Sequence, residues 1–409
     1  MASVPGGQYT LFANGNNVNV VATADGIGLP PPVAGLFNLE LLTSASGSAT
    51  LPAGYQGVAM LSPDGRTINL VAGDYGVQVA DGGPHTIIAG TGHDTIYGGS
   101  GPTVIFGGNG PDTIIGGRGP DTIYGGSGRD QIVGGSGSEL IVGGDGKDTI
   151  TGSSGSDTIY AGHGGDLIMG GSGATTITAG DGPDTIIGGS GPTAIYGGVG
   201  HATITGGGGP TTIYGGSGRD VITAGSGSTL IMGGAGKDTI IGGSGADTIF
   251  AGHGGDLIVG GSGPDLIFGG DGHDTIFGGS GADTIFGGSG PLLVHGGSGA
   301  DVITGGGAND TIFGGSGADT IDGGSGHNHI FAGTGGTLVQ DSGVRGQDTV
   351  VGFSQAHGDA INFAGQDAGT VNHVVATANS SGGSTTITLP DGSTMTLVGV
   401  AQIDHTFFH

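Results

Sequence analysis

Residues 242–259 read Gly242-Gly-Ser-Gly-Ala-Asp-Thr-Ile-Phe250, then Ala251-Gly-His-Gly-Gly-Asp-Leu-Ile-Val259. These are two nine-residue units in one frame. Moving outward, the frame runs from Ala89 to Gln340 without an insertion or deletion, giving 28 consecutive units. The eighth position is the most constrained, with Ile in 26 units and Val in two, Val294 and Val339. The sixth position is Asp in 18 units, and positions one, two and four are mostly glycine. A longer period lies above the first. Gly125-Gly-Ser-Gly-Arg-Asp130, Lys147 and Ala161-Gly-His-Gly-Gly-Asp-Leu-Ile168 recur ten units later at Gly215–Asp220, Lys237 and Ala251–Ile258, a block duplication.

A fixed nine-residue period points to a repeat architecture. The glycine-rich part of each unit allows the positive φ angles of a tight turn. The three residues centred on Ile describe a short strand, in which position eight points inward and positions seven and nine outward. Two units make one coil, and coils stack through parallel strands. Fourteen coils at roughly 4.8 Å each would span about 65–70 Å. The core is then two facing ladders of Ile, each contributing on the order of 1.5–3 kcal/mol.

Such a core opposes the ordering entropy of a very glycine-rich backbone and is insufficient alone. The carboxylates add to the difficulty, because position-six residues two units apart lie about one strand spacing from each other. Like charges at that distance repel by roughly 1 kcal/mol in water and by more at lower dielectric. A divalent cation between successive coils reverses the sign of that interaction. Carboxylate and carbonyl oxygens are hard donors that suit Ca²⁺.

The units resemble the glycine-rich nonapeptide of the RTX (repeats-in-toxin) family. The resemblance covers residues 89–340. It implies an all-β fold, a right-handed parallel β-roll or β-helix holding many calcium ions. It further implies export through type I secretion machinery by an uncleaved C-terminal signal. The tail is similar to the flanks that close such rolls, in Gln347-Asp-Thr-Val-Val-Gly-Phe353 and Gly358-Asp-Ala-Ile-Asn-Phe363. Thr394 to Val400 and Ile403-Asp-His-Thr-Phe-Phe408 resemble the C-terminal segments of type I substrates.

With calcium between coils, the best sites carry Asp in both. One edge offers Asp94, Asp112, Asp130, Asp148, Asp166 and Asp184, then Asp220, Asp238, Asp256 and Asp274. The other offers Asp247, Asp265, Asp283, Asp301 and Asp319. Asp121, Asp157 and Asp310 are more isolated candidates, for which a turn-forming role without metal is the competing reading. Thr103, Glu139, Thr175, Thr193, Ala202, Thr211, Thr229, Leu292 and Asn328 break the pattern. The run Thr175, Thr193, Thr211, Thr229 is expected to be poor in calcium and held by threonine hydrogen bonds. His163 and His253 read as solvated turn residues. At position nine, Tyr97, Tyr124, Tyr160, Phe250, Phe268, Phe277 and Phe286 form an outward ladder open to side-by-side association.

The flanks have a different texture. Residues 1–79 hold strand-like runs at Gln8–Ala13, Asn17–Thr23, Leu36–Leu42 and Thr67–Ala72, and a Pro30-Pro31-Pro32 break. They read as a β-rich cap or assembly segment, residues 80–340 as the nonapeptide roll, and 341–409 as a β-rich cap with the secretion signal. Thr385–Leu389 and Thr394–Val398 flank the turn Pro390-Asp391-Gly392. Neither flank shows helical periodicity.

Composition narrows the function. The 409 residues include 105 glycines, 34 acids and 7 bases, for a net charge of −27. That balance argues against nucleic acid and anionic membranes and favours cations. No stretch has the ~18 apolar residues of a membrane-spanning helix. Met1-Ala-Ser-Val-Pro-Gly-Gly7 has neither a basic n-region nor an apolar h-region, so no ordinary signal peptide is expected. There is no cysteine, hence no disulfide or thiolate site. No HExxH occurs anywhere, and residues 1–79, too few for an enzyme domain, hold no His, no Cys and no Gly-x-Ser-x-Gly, so metalloprotease and hydrolase chemistry find no support. The leading expectation is a secreted, non-enzymatic calcium-folded structural protein of a bacterial surface or matrix, able to form a homopolymer. A calcium-dependent adhesin or glycan- or ice-binding module is the alternative. The irregular third turn position counts against ice.

Overall fold

The computed structural model describes the backbone of strand residues 7–13, 16–23, 37–42, 47–51, 57–60 and 66. Residues 67–70, 73–79, 83–343 and 345–409 are described with their side chains. The Pro30-Pro31-Pro32 break and the end of the Thr67–Ala72 run lie outside the described residues. The chain divides into two compact units, residues 1–199 and 200–409.

The first unit is a parallel β-solenoid. Successive strands alternate between two sheets, and each pairs with its counterpart one coil on. Thr113–Gly117 thus lies between Thr95–Tyr97 and Gln131–Gly135, with Ile114 opposite Ile96 and Ile132. Thr122–Gly128 lies between Thr103–Asn109 and Leu140–Gly146, with Ile123 opposite Ile105 and Ile141. Each of these isoleucines is fully buried, while positions seven and nine are half-buried or exposed, as the period-two geometry requires. Many strands are longer than the three residues expected, running to seven. The ladder continues past Ile into the next glycines, as in Gly126 opposite Gly144, because a backbone without Cβ brings neighbouring coils into pairing distance.

Parallel pairing also extends upstream of the nonapeptide frame. Ile68 faces Ile87 and Val77 faces Ile96, in coils slightly longer than two repeat units, and all four are buried. Further upstream Gly47–Leu51 pairs with Arg66–Leu70, and Phe37–Leu42 with Gly57–Met60. Gly7–Ala13 and Asn16–Thr23 form an antiparallel pair.

The second unit repeats the solenoid and then closes it. Ile249, Ile267 and Ile285 stack on one sheet and Ile240, Ile258 and Ile276 on the other. Past Gln340 the coil lengthens, so that Asn328 faces Asp348 and Leu338 faces Ala360, both wider than two repeat units. Thr394–Val398 pairs with Gly346–Val351 and turns back on Ser384–Thr388 through Gly392, whose φ of 92° suits glycine. Phe353 and Phe407 are buried against each other with ring centroids 5.8 Å apart.

One expectation fails here. Ala368–Thr377 is an α-helix (α1), although the flank shows no helical period. Only Val371 and Val374 are buried, one short contact stripe, so the pattern is too brief to register in the sequence. The signal lies in the cap. Thr370 N–H donates to Asp367 Oδ1 at 2.7 Å, and Asp367 N–H donates to Thr370 Oγ1 at 2.8 Å, a reciprocal capping box.

Candidate metal centre

Each position-six aspartate stands at the head of its strand with its side chain turned inward. All 18 sequence-predicted aspartates are buried, none more than 3% exposed. In every one of them Oδ1 accepts the backbone N–H of the residue one coil earlier. In the first unit Asp94, Asp112, Asp130 and Asp148 donate in turn to Asp112, Asp130, Asp148 and Asp166, at 2.7–2.9 Å. Asp166 donates to Asp184 at 2.8 Å, and Tyr75 N–H to Asp94 at 2.8 Å. In the second unit Asp220, Asp238, Asp256 and Asp274 are linked alike. The other edge links Asp247, Asp265, Asp283, Asp301 and Asp319. Asp121, Asp157 and Asp310 accept from Thr103, Glu139 and Leu292.

The second oxygen is left over. In 17 of the 18, Asp274 excepted, Oδ2 is buried with no hydrogen-bond partner. Asp112 Oδ2 and the Gly125 carbonyl oxygen lie 2.7 and 2.4 Å from one point, where a Cβ on Gly107 would sit. Asp148 Oδ2 converges likewise with the Ala161 carbonyl. A buried carboxylate oxygen beside a carbonyl is an acceptor facing an acceptor, which is costly without a cation or proton.

Electrostatics point the same way. Asp94, Asp112, Asp121, Asp130, Asp148, Asp256, Asp265, Asp283 and Asp310 are pushed up from 3.8 to about 6, chiefly by desolvation and partly offset by the N–H each accepts. Asp166, Asp184, Asp220, Asp238, Asp247, Asp274, Asp301 and Asp319 move the same way for the same first cause. The fold thus removes water from a row of charges and supplies only half the hydrogen bonds that would compensate.

The residues that break the pattern behave differently. Thr193 Oγ1 donates to the Gly191 carbonyl at 3.0 Å, Thr211 to Gly209 at 2.9 Å and Thr229 to Gly227 at 3.1 Å. Thr103 and Thr175 reach further back, to Gly98 at 2.9 Å and Gly170 at 3.5 Å. These hydroxyls satisfy the turn locally and leave no orphaned acceptor. Asn328 is bifunctional, with Oδ1 accepting from Asp310 N–H and Nδ2 donating to Asp348 Oδ1 at 2.8 Å.

Two further buried carboxylates lie outside the nine-residue frame. Asp348 is buried at the lengthened coil, its carboxyl raised to about 7 chiefly by desolvation. Asp359 accepts from Thr337 N–H at 2.9 Å and from Ser354 N–H at 2.7 Å. The signal was available in Asp348-Thr-Val and Asp359-Ala-Ile, which repeat positions six to eight at spacings wider than the frame. His163 and His253 are exposed, their Nδ1 atoms 3.1 and 2.8 Å from Asp181 and Asp271. Among the described residues no three His, Cys, Asp or Glu side chains form a metal-binding group. A site here therefore combines one or two carboxylates with backbone carbonyls, a donor set that fits a hard ion such as Ca²⁺.

The family model of the RTX calcium-binding nonapeptide repeat (four copies) matches more than half of the chain, in stretches 80–102, 106–141, 142–177, 169–191, 196–231, 224–258, 232–267, 259–291 and 294–335. No curated protein matches the sequence. Among solved structures, the chain is similar to the extracellular lipase LipA from Serratia marcescens at 16% identity and a TM-score of 0.20. That match covers 70% of this chain and 44% of the lipase, so the chain spans under half of that structure's length. RTX repeats bind multiple calcium ions per array, and proteins that carry them are generally secreted. Among the described residues no helix is long and apolar enough to cross a membrane. The repeat match, the parallel solenoid and the ladders of half-satisfied carboxylates agree, and the chain belongs to the RTX calcium-binding nonapeptide repeat family.

Proposed function

We propose that this protein is a secreted, non-enzymatic structural component of a bacterial surface or extracellular matrix, folded by calcium and able to assemble with copies of itself. The observation that carries the reading is the row of buried, unpartnered Oδ2 atoms along the coil edges of both units. We assign the calcium to these aspartates, each ion held between one coil and the next by carboxylate and carbonyl oxygens. In a calcium-poor exporting cell the acidic chain stays unfolded and threads through type I secretion machinery. Outside, calcium in the ~10⁻⁴–10⁻³ M range of extracellular modules fills the edges and the coils stack. Residues 1–79 and 341–409 act as caps or as joints between molecules, the latter carrying the export signal.

Outward aromatic ladders support self-association. Phe250, Phe268 and Phe286 stack at 4.7 and 5.0 Å, and Phe277, His295, Phe313 and Phe331 at 4.4–5.0 Å. The same ladders favour a second reading, a calcium-dependent adhesin presenting an apolar strip to a glycan or protein. Light scattering coupled to size exclusion, in millimolar calcium and in chelator, separates them. Large species in calcium that chelator dissolves support the structural reading. A compact monomer in calcium refutes assembly and leaves adhesion.

A further inference from the structure

Glu139 is the one glutamate at a position-six site of the repeat, and it is built in differently from every aspartate. It is 3% exposed. Its own N–H donates to Asp157 Oδ1 at 3.1 Å, so the ladder is intact on that side. On the other side the extra methylene carries the carboxylate past the N–H that an aspartate would accept. Oε1 is buried with no hydrogen-bond partner. It lies 2.7 Å from the point where a Cβ on Gly137 would sit, and the Gly119 carbonyl oxygen is 2.0 Å from the same point. Oε2 faces the opposite coil, near the Gly152 carbonyl. One carboxylate oxygen thus faces the carbonyls of each neighbouring coil.

A second departure from the repeat touches the first. Unit 152–160 has Ser153 where position two is otherwise glycine. Gly135 and Gly171, one coil to either side, hold φ of 129° and 109°. Ser153 is at φ 146°, the one non-glycine residue with positive φ among the described residues. Its Oγ lies 3.5 Å from Glu139 Oε2. A side chain held in this region has a conformational cost that glycine avoids, and such strain is characteristic of functional sites. The serine brings a neutral oxygen to the place where the glutamate has moved.

We propose that Glu139, with the Ser153 hydroxyl and the carbonyls of Gly119 and Gly152, holds calcium in a site of its own design on the second edge of the first unit. The longer carboxylate bridges two coils, and the hydroxyl replaces an oxygen that the aspartate sites draw from the backbone. Asp121 and Asp157, isolated when only aspartates are counted, then belong to a run of three carboxylates between Thr103 and Thr175. Ca²⁺ tolerates such variable oxygen sets at about 2.3–2.6 Å, as the smaller Mg²⁺ does not. This rests on the calcium reading of the aspartate ladders.

The test is the full chain crystallised in calcium at pH 7.5, with anomalous difference density read at both places. A peak within metal–oxygen distance of Glu139, lost in Glu139→Gln and weakened in Ser153→Gly, is the expected result. Ser153→Gly places at this turn the residue its neighbours already carry, so folding survives it. Glu139→Asp restores the regular ladder and keeps a peak, which guards against simple misfolding of Glu139→Gln. Peaks along Asp94–Asp184 with none at Glu139 overturn this inference alone, and mean that the carboxyl is held by a proton. A peak that persists in Glu139→Gln also overturns it. No peak at either place overturns the calcium assignment of the aspartates as well.

Discussion

Removing calcium and then changing pH should expose the cost of the aspartate ladders. Nine carboxyls stand at about 6 in the folded chain without metal, against 3.8 when unfolded. A tenfold change in proton affinity is worth about 1.4 kcal/mol, so each group costs the metal-free fold about 3 kcal/mol once ionised. Water at the turn surface screens part of this. A quarter of the summed effect is still about 7 kcal/mol, comparable with the roughly 5–15 kcal/mol that holds a typical domain together. The folded pKa values are raised, so the metal-free fold binds more protons than the unfolded chain between pH 3.8 and 6. Its stability is therefore greatest below 3.8, falls as pH rises through about 6, and stays low above. With calcium bound the sign inverts, because protons compete with the ion for the same oxygens. The assay is far-UV circular dichroism with denaturant titration, in EGTA and in about 10 mM calcium, on the order of ten times the affinity limit of extracellular sites. The two media should show opposite pH slopes between about pH 4 and 6. At pH 7.5 the β signal should vanish in EGTA and return with calcium. A chelated chain that keeps its full β signal at pH 7.5, or that gains stability as pH rises, would refute the reasoning.

Four further outcomes are expected. Asp256→Asn keeps an acceptor for Asp238 N–H but removes a charge, so it should lower the melting temperature in calcium and raise stability in chelator; the same sign in both media would count against the ladder as a metal edge. Ile276→Ala, between Ile258 and Val294, should cost about 2–5 kcal/mol in calcium by denaturant unfolding. Gly254→Ala places a Cβ 1.4 Å from the Gly236 carbonyl at φ 144°, whereas Gly208→Ala meets nothing within 4 Å; the first should melt well below wild type and the second alongside it. Replacing Phe250, Phe268 and Phe286 together by Ser should abolish calcium-dependent high-mass species in light scattering, with little change in melting temperature, since these rings are half-exposed.

Much of this protein is legible along the chain. A period of nine with Ile or Val at every eighth position admits one economical solution, two strands per coil with that side chain inside, and Ile105, Ile123 and Ile141 stack accordingly. The aspartate line is legible for the same reason, since an uninterrupted frame puts residues two units apart beside each other. What depends on irregular spacing is hidden. The slightly longer coils upstream, and the longer ones downstream, have the same pairing without the same count. Helix α1 is hidden because its cap is a single reciprocal contact and its buried stripe two valines.

Chemistry and fold class followed from the sequence alone, because periodicity converts chain position into spatial position wherever the period holds. Only the tertiary structure decided how each carboxylate is used. In nearly every aspartate one oxygen is committed to a backbone N–H and the other stranded, a division set by where the previous coil's amide falls. It also decided that Glu139 and Ser153, both irregular and in different units, meet. Their contact arises from the stacking of one coil on the next, a distance across the solenoid that no reading along the chain contains.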